Sequence, residues 1–303
     1  IAVPDLDAQL VAEKLKWTAD AGRILVAAPS AHLRLSTSAL ASLSAPRLDA
    51  TISNASVTVA NGDIQAQGDI KADGDAGMKA DLAALRAADP ALASAIARNL
   101  AHLQISFAGH AVHHGKSSEF SLTAPMTVAG ARGARINIPA LTISGGADSL
   151  NTTLDASLSG PGLPATRLTA RRLVWTGGGL TGDVALKTRF SFAMLRGTDI
   201  AANGTVSYQA GHYAFAPSGC VRVSLAAFHP GASDLARDMR TQVCGTGQPL
   251  ITGEGADWKL SGQARGASAN LPLGNVHVEK ASARLAFEGR GAPLKGRVAL
   301  SSA

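Results

Sequence analysis

Residues 63–72 read DIQAQGDIKA, with small or apolar residues at even positions and polar or charged residues at odd positions. A period of two is that of a β-strand whose two faces meet different surroundings. The Asn61-Gly62 pair just before it is a strong signal for a hairpin turn. The stretch therefore predicts one strand of an antiparallel sheet that has an apolar face and a polar face.

The same alternation recurs along most of the chain, with Gly, Asn or Pro between successive runs. Near its start, the apolar positions change from even numbers, ending at Ile52, to odd numbers, beginning at Val57, which predicts a bulge or bend near Asn54. The chain is therefore predicted to be mainly β: a long, curved antiparallel sheet, folded as a meander around a groove, with a few short helices packed against it. We expect residues 1–303 to form a single elongated groove segment of a longer protein.

The period changes between residues 75 and 103, where an inserted helical pair is predicted. Met78, Leu82 and Leu85 mark the first helix by their spacing. Asp89 followed by Pro90 is a start signal for the second helix. The narrow apolar stripes of both segments favour helices that lie against a sheet.

The chain has two cysteines, Cys220 and Cys244. They are either a disulfide or two free thiols, and neither has the spacing of a metal ligand. We favour the disulfide, which would place the chain in an oxidising compartment. Ser233 resembles a helix cap, so residues 220–244 are predicted to form a disulfide-stapled strand–helix insert with its helix over 234–240.

Composition narrows the possible functions. The net charge of +6 and the pI near 9.6 would suit nucleic acid, but Lys and Arg are scattered through strands and turns, so we expect no nucleic-acid partner. No apolar run approaches the roughly 18 residues that cross a bilayer. The apolar content is 46%, yet aromatic residues make up only 4%, so the apolar surfaces are predicted to be aliphatic and smooth.

No stretch carries a recognisable catalytic motif. Residues 115–117 (GKS) resemble the end of a phosphate-binding loop, and residues 177–182 fit a dinucleotide-binding pattern, but alternating strands follow both where a helix is required. His110, His113 and His114 form the only candidate metal cluster, and solvated imidazoles at a hairpin tip explain them better. We therefore expect no enzyme activity, no cofactor and no metal site.

The apolar face has two possible roles. In a sandwich or scaffold protein it is a closed core that packs against a second sheet, which gives a structural or adhesive protein without a ligand. In an open, curved sheet it is an aliphatic groove able to hold acyl chains. The shared alternation selects the following candidate groove residues: Ile64, Ile70, Leu154, Leu158, Val184, Leu186, Ile200, Val206, Trp258, Leu260, Val276, Val278, Leu285, Phe287, Val298 and Leu300.

Three segments give the chain a resemblance to a known family: residues 219–223 (GCVRV), 242–244 (QVC) and 256–262 (ADWKLSG), set among two-faced strands and Gly-rich turns. Together they resemble proteobacterial proteins of the AsmA-like superfamily, and within it the YdbH-type branch. The strand pattern covers nearly all of the chain, whereas the cysteine pair and the tryptophan that follows are its most particular part.

The resemblance implies a bridge-like lipid-transfer protein of the periplasm, anchored to the inner membrane by a segment outside this chain. Its long β-groove would conduct phospholipids between the inner and outer membranes of a Gram-negative bacterium. The implied partners are phospholipid acyl chains and the two membranes, reached through segments outside this chain. No catalytic residue is implied.

Overall fold

The computed structural model is mainly β, as predicted, with 77% of the chain in strands and 6% in helices. All strand pairs described below are antiparallel. The chain divides into two compact units, unit 1 (1–81 and 96–161) and unit 2 (82–95 and 162–303). The structure describes residues 7–20, 22–40, 43–78, 82–83, 86, 89–192, 194–229, 231, 233–255, 257–290 and 294–302.

Unit 1 is a meander. Strands β5 to β10 each pair with the next, and β3 pairs with β5. On its other side β3 pairs with β1 and β2, which follow one another along it. The strands are β1 (Asp7–Glu13), β2 (Lys16–Asp20), β3 (Arg23–Ser36), β4 (Ala39–Leu40), β5 (Leu43–Ala60), β6 (Asp63–Met78), β7 (Leu103–His114), β8 (Ser117–Gly130), β9 (Arg135–Gly145) and β10 (Ser149–Ser159).

The predicted bulge near Asn54 is confirmed. Asn54 has a φ of 54°, and the register between β5 and β6 shifts between Ser53 and Ser56. Asn tolerates this left-handed conformation better than most residues. The bulge lets Ile52 and Val57, which differ in parity, both pair with apolar-face residues of β6.

Unit 2 is a meander with two interrupted strands. Strands β14 and β15 lie end to end, and both pair with β13. Strands β16 and β17 also lie end to end, and both pair with β18. β14 pairs with β17, and β15 with β16, so the two interruptions lie side by side. The strands are β11 (Ala165–Thr176), β12 (Gly179–Phe192), β13 (Leu195–Gln209), β14 (His212–Pro217), β15 (Val221–Phe228), β16 (Ala236–Cys244), β17 (Ile251–Glu254), β18 (Asp257–Leu271), β19 (Val276–Arg290) and β20 (Leu294–Ser302).

A disulfide joins the two interruptions. Cys220 lies just before β15 and is bonded to Cys244 at the end of β16. The neighbouring residues Val221 and Val243 are in register, so the disulfide continues the ladder between these strands. The preferred reading of the cysteine pair is therefore confirmed.

The helix predicted over 234–240 is wrong, because β16 begins at Ala236. Asp238 has a φ of 51°, and this irregularity places Ala236 and Met239 on the same face three residues apart. A three-residue spacing imitates the period of a helix. Asp234 accepts a 2.7 Å hydrogen bond from Arg237 and does not begin a helix.

The second helix of the predicted pair is present as α1 (Pro90–Leu100). As expected of its cap, Asp89 accepts a hydrogen bond of 2.9 Å from the backbone N–H of Leu92. Residues 75–78 belong to β6, so the helical insert does not begin at residue 75. The first predicted helix, marked by Met78, Leu82 and Leu85, falls largely outside the described residues.

Asn99, near the end of α1, holds the turn between β8 and β9. Its side-chain oxygen accepts hydrogen bonds of 3.1 Å from the backbone N–H groups of Arg132 and Ala134, and it is 4% exposed. Asn99→Ala is expected to lower the free energy of unfolding by about 2 kcal/mol, because both donors lose their acceptor. Urea denaturation measures this loss. Asn99→Asp keeps the acceptor and is expected to be closer to wild type; equal losses from both variants would contradict the assignment.

Little of the strand surface is buried by other parts of the chain. The chain exposes 18617 Å². A compact protein of this mass exposes about 12,000 Å², and two compact domains of half the mass about 14,000 Å² together. Among the described residues, no large side chain is fully buried, and most buried apolar residues are Ala. The helices of the described ranges include none that is long and apolar enough to cross a membrane.

Candidate functional site: the apolar sheet face

One face of the unit 1 sheet is apolar from strand to strand. Directly paired residues of an antiparallel sheet project to the same side, so the register identifies this face. Ile70 pairs with Ile52 on one side and with Gly109 on the other, and Gly109 pairs with Leu122. On the next strands, Leu141 pairs with Leu154. The alternation that was read from residues 63–72 therefore extends across the strands as well as along them.

The apolar face of unit 2 is traced in the same way. Leu186 pairs with Leu168 and Ala202, and Val206 pairs with Gly182 and Phe215. Beyond the interrupted strands, Leu260 pairs with Ile251 and Phe287, and Leu285 pairs with Val298. We call the face traced within each unit the apolar face.

All sixteen predicted groove residues lie on the apolar face of their own unit. Unit 1 holds Ile64, Ile70, Leu154 and Leu158, and unit 2 holds the other twelve. Four of them are well exposed, Ile64 at 47%, Val276 at 50%, Val298 at 58% and Leu300 at 73%. The remaining twelve are half-buried.

Aromatic rings of the apolar face lie over glycines of the neighbouring strand. The Phe120 ring covers Gly109, where an added Cβ would lie 2.5 Å from it, and the Trp258 ring covers Gly289 at 2.7 Å. Any larger residue at these two glycines would displace the ring. The rings therefore lie close to the backbone of the sheet and project little above the apolar face.

The unit 2 face contains a cluster of buried residues. Ala202, Val221, Val243 and Leu250 are buried together. They are surrounded by half-buried apolar side chains: Ile200, Phe215, Val223, Ile251, Leu260 and Leu285. Sequence reasoning did not select Leu250, because it lies in the connection between β16 and β17, outside any alternating run.

Other members of the apolar face were also missed. Leu10, Trp17 and Ile24 belong to it through the pairing of β1, β2 and β5 with β3, and all three are exposed. Their runs are short or change parity near the Asn54 bulge, so alternation alone gave a weak signal. The pairs with Leu33, Val26 and Val59 assign them to this face.

The opposite face carries cross-strand ion pairs. Arg34 bonds Asp49 at 2.7 Å, and Arg189 makes two bonds to Asp199, at 2.7 and 3.2 Å. Both guanidinium groups have a raised pKa, caused by the hydrogen bond and the charge of the partner carboxylate. Exposed pairs of this kind contribute little to stability but keep this face in water.

The three histidines do not converge on a metal. β7 runs through all of them, so His113 lies on the apolar face while His110 and His114 lie on the polar face. His110 bonds Asp69 at 2.8 Å, and His113 bonds Ser118 at 2.9 Å. The described ranges contain no group of three residues suited to a metal ion. The two phosphate-loop resemblances are turns between strands, at 115–116 and 177–178.

The stability of the folded chain is expected to fall at acid pH because of Asp69. Hydrogen bonds from Asn54 and with His110 lower the pKa of Asp69 below its ordinary value. Its stabilising contribution is present above the unfolded-state pKa of about 4 and is lost as the pH falls through the lower folded-state pKa. We expect the urea midpoint to fall between pH 5 and pH about 3, and to fall less in Asp69→Asn. The same fall in both proteins would contradict this role.

No protein-family model, curated protein or solved structure matches the chain. The apolar face is therefore the feature of the chain that bears most directly on its function.

Proposed function

We propose that this chain carries phospholipids passively along its apolar face, as part of a route between the inner and outer membranes of a Gram-negative bacterium. The observation that carries the proposal is an apolar face that continues from strand to strand within each unit while most of its large side chains stay partly exposed. Exposed apolar area of this extent usually marks a binding surface. The occupant with matching chemistry is a hydrocarbon chain.

The composition of the apolar face suits the sliding of acyl chains better than their tight binding at one site. It consists mainly of Ala, Val, Leu and Ile, which present methyl groups and no hydrogen-bonding groups. Each methylene removed from water contributes about 0.8 kcal/mol, and this gain is similar wherever the chain lies on such a face. Acyl chains can therefore slide without leaving a specific site, while the headgroups stay in water. The direction of transfer would come from the membranes at the two ends.

The proposed periplasmic location is supported by observations other than the apolar face. The Cys220–Cys244 disulfide is compatible with an oxidising compartment such as the periplasm. The resemblance to the AsmA-like superfamily adds the two membranes as partners, contacted through segments outside this chain, and an anchor in the inner membrane. The proposal needs no catalytic residue and no cofactor, because no bond is made or broken.

Lipid analysis of the purified chain tests the proposal. The chain is exported to the periplasm of a bacterial host, purified without detergent, and examined by native mass spectrometry and by solvent extraction. We expect bound phospholipid in both measurements, with several headgroup types represented because the face contacts only the tails. Repeated preparations that contain no lipid, together with no uptake from phospholipid vesicles, would favour a structural scaffold.

A further inference from the structure

The interruption between β14 and β15 opens a polar cavity on the face opposite the apolar one. The ladder from β13 ends at Gly204–Pro217 and resumes at Ala201–Arg222. A cavity with a volume of about 220 Å³ lies at this gap. Its lining is mostly polar: Leu186, Lys187, Ala201, Asn203, Ser218, Gly219, Cys220 and Arg222.

Two cations flank the cavity without an acidic partner. Lys187 pairs with Ala201, which pairs with Arg222, so the two cations share a face two strands apart, about 10 Å between their backbones. Neither makes an ion pair within the described part of the chain. The carboxylates nearby are already engaged, Asp199 by Arg189 and Asp183 by Thr205.

The backbone at the gap supplies further donors. Ser218 uses its N–H and its hydroxyl to bond the Asn203 carbonyl, at 2.9 and 3.3 Å. Gly219 and Cys220 follow, and within the described residues their N–H groups donate no hydrogen bond. The disulfide fixes Cys220 to Cys244, so this short segment is held in place. Fixed backbone N–H groups beside cations are a common arrangement for binding an anion.

The charge of unit 2 also favours an anion. Its residues include 17 Lys and Arg against 9 Asp and Glu, whereas unit 1 has 11 against 13. The excess positive charge of the chain therefore belongs to unit 2, and it attracts anions to the surface around the cavity.

We propose that this cavity binds a phosphate group, held by Lys187, Arg222 and the N–H groups of Gly219 and Cys220. Arg and Lys together with backbone donors suit phosphate oxygens, since charge-assisted bonds are the strong ones. The site lies on the face opposite the apolar face, so its ligand is not the headgroup of a lipid carried on the apolar face. The phosphate comes either from free phosphate or from the headgroup of a lipid outside the chain.

Titration of the oxidised chain with inorganic phosphate, at constant ionic strength, tests the site. We expect saturable shifts of the Gly219 and Cys220 amide resonances that chloride does not produce. Arg222→Gln is expected to weaken binding by about tenfold, since it removes a charge-assisted bond. If Arg222→Gln folds poorly, Lys187→Gln replaces it and is also expected to weaken binding by about tenfold. Arg284→Gln removes an equal charge from the same face away from the cavity, and should retain wild-type affinity.

A parallel titration with glycerophosphoglycerol, the headgroup of phosphatidylglycerol without its acyl chains, distinguishes the two sources. Tighter binding of this diester indicates a lipid headgroup, and tighter binding of inorganic phosphate indicates the free ion. The absence of saturable shifts with both probes, or equal losses in Arg222→Gln and Arg284→Gln, would overturn the proposal. Arg222→Gln should still copurify with phospholipid, so failure at this site is separate from failure of the proposed lipid transport.

Discussion

Val206→Asp is expected to reduce the phospholipid that copurifies with the chain by roughly a hundredfold, because a carboxylate among acyl chains costs about 3 kcal/mol. Val206 lies on the apolar face of β13, half-buried between Gly182 and Phe215, which are its partners on the neighbouring strands. An acyl chain that follows the face across these strands has to pass it. Lipid extraction and native mass spectrometry measure the loss.

Ser207→Asp is the matched control. Ser207 is the next residue, exposed on the polar face and paired with Thr181 and Ala214. It receives the same charge in the same strand, so we expect its lipid content to match wild type. Circular dichroism checks that both variants keep their strands. Equal lipid in both folded variants would show that acyl chains do not lie on the face that contains Val206.

Removal of the disulfide is expected to have the largest effect on stability. Cys220 and Cys244 are 24 residues apart, and a cross-link of that span restricts the unfolded chain by about 3 kcal/mol. Cys220→Ala combined with Cys244→Ala should therefore lower the free energy of unfolding by this amount, measured by urea denaturation. Alanine avoids the burial of a hydroxyl at position 244, which is 5% exposed.

Reduction of the wild-type chain provides the control. A thiol reductant should bring the wild type to the stability of the double variant and leave the double variant unchanged. A double variant as stable as the oxidised wild type would contradict a stabilising role. In that case the disulfide would serve only to hold the backbone at residues 218–220 in place, and its loss would appear in phosphate binding alone.

The sequence predicted the apolar face well, because alternation reports directly on which side of a strand a residue lies. The even-numbered face of residues 63–72 and its change of parity at Asn54 are both present in the sheet. The same rule placed Val206, Leu260 and Leu285 on one face without any knowledge of strand pairing. A period of two survives in the structure because each strand keeps one side toward water.

The remaining features depend on pairing between distant residues, which alternation does not report. The cap signal at Ser233 predicted a helix over residues 234–240, but pairing with β15 makes residues 236–244 a strand. The interruption after Pro217 is visible only once β14 and β15 are seen to share β13. The phosphate cavity lies at that interruption, and no local pattern marked it.

The three tryptophans of the chain lie on the apolar face, so their fluorescence reports on that face. Trp17 pairs with Val26 and Trp175 with Leu180, and Trp258 lies two residues before Leu260 on β18, so every indole lies on the apolar face. Trp17 and Trp175 are exposed, at 71% and 48%, while Trp258 is half-buried over Gly289. The intrinsic fluorescence of this protein thus originates on one side of its sheets, and its emission wavelength reports the polarity of that side without any attached dye.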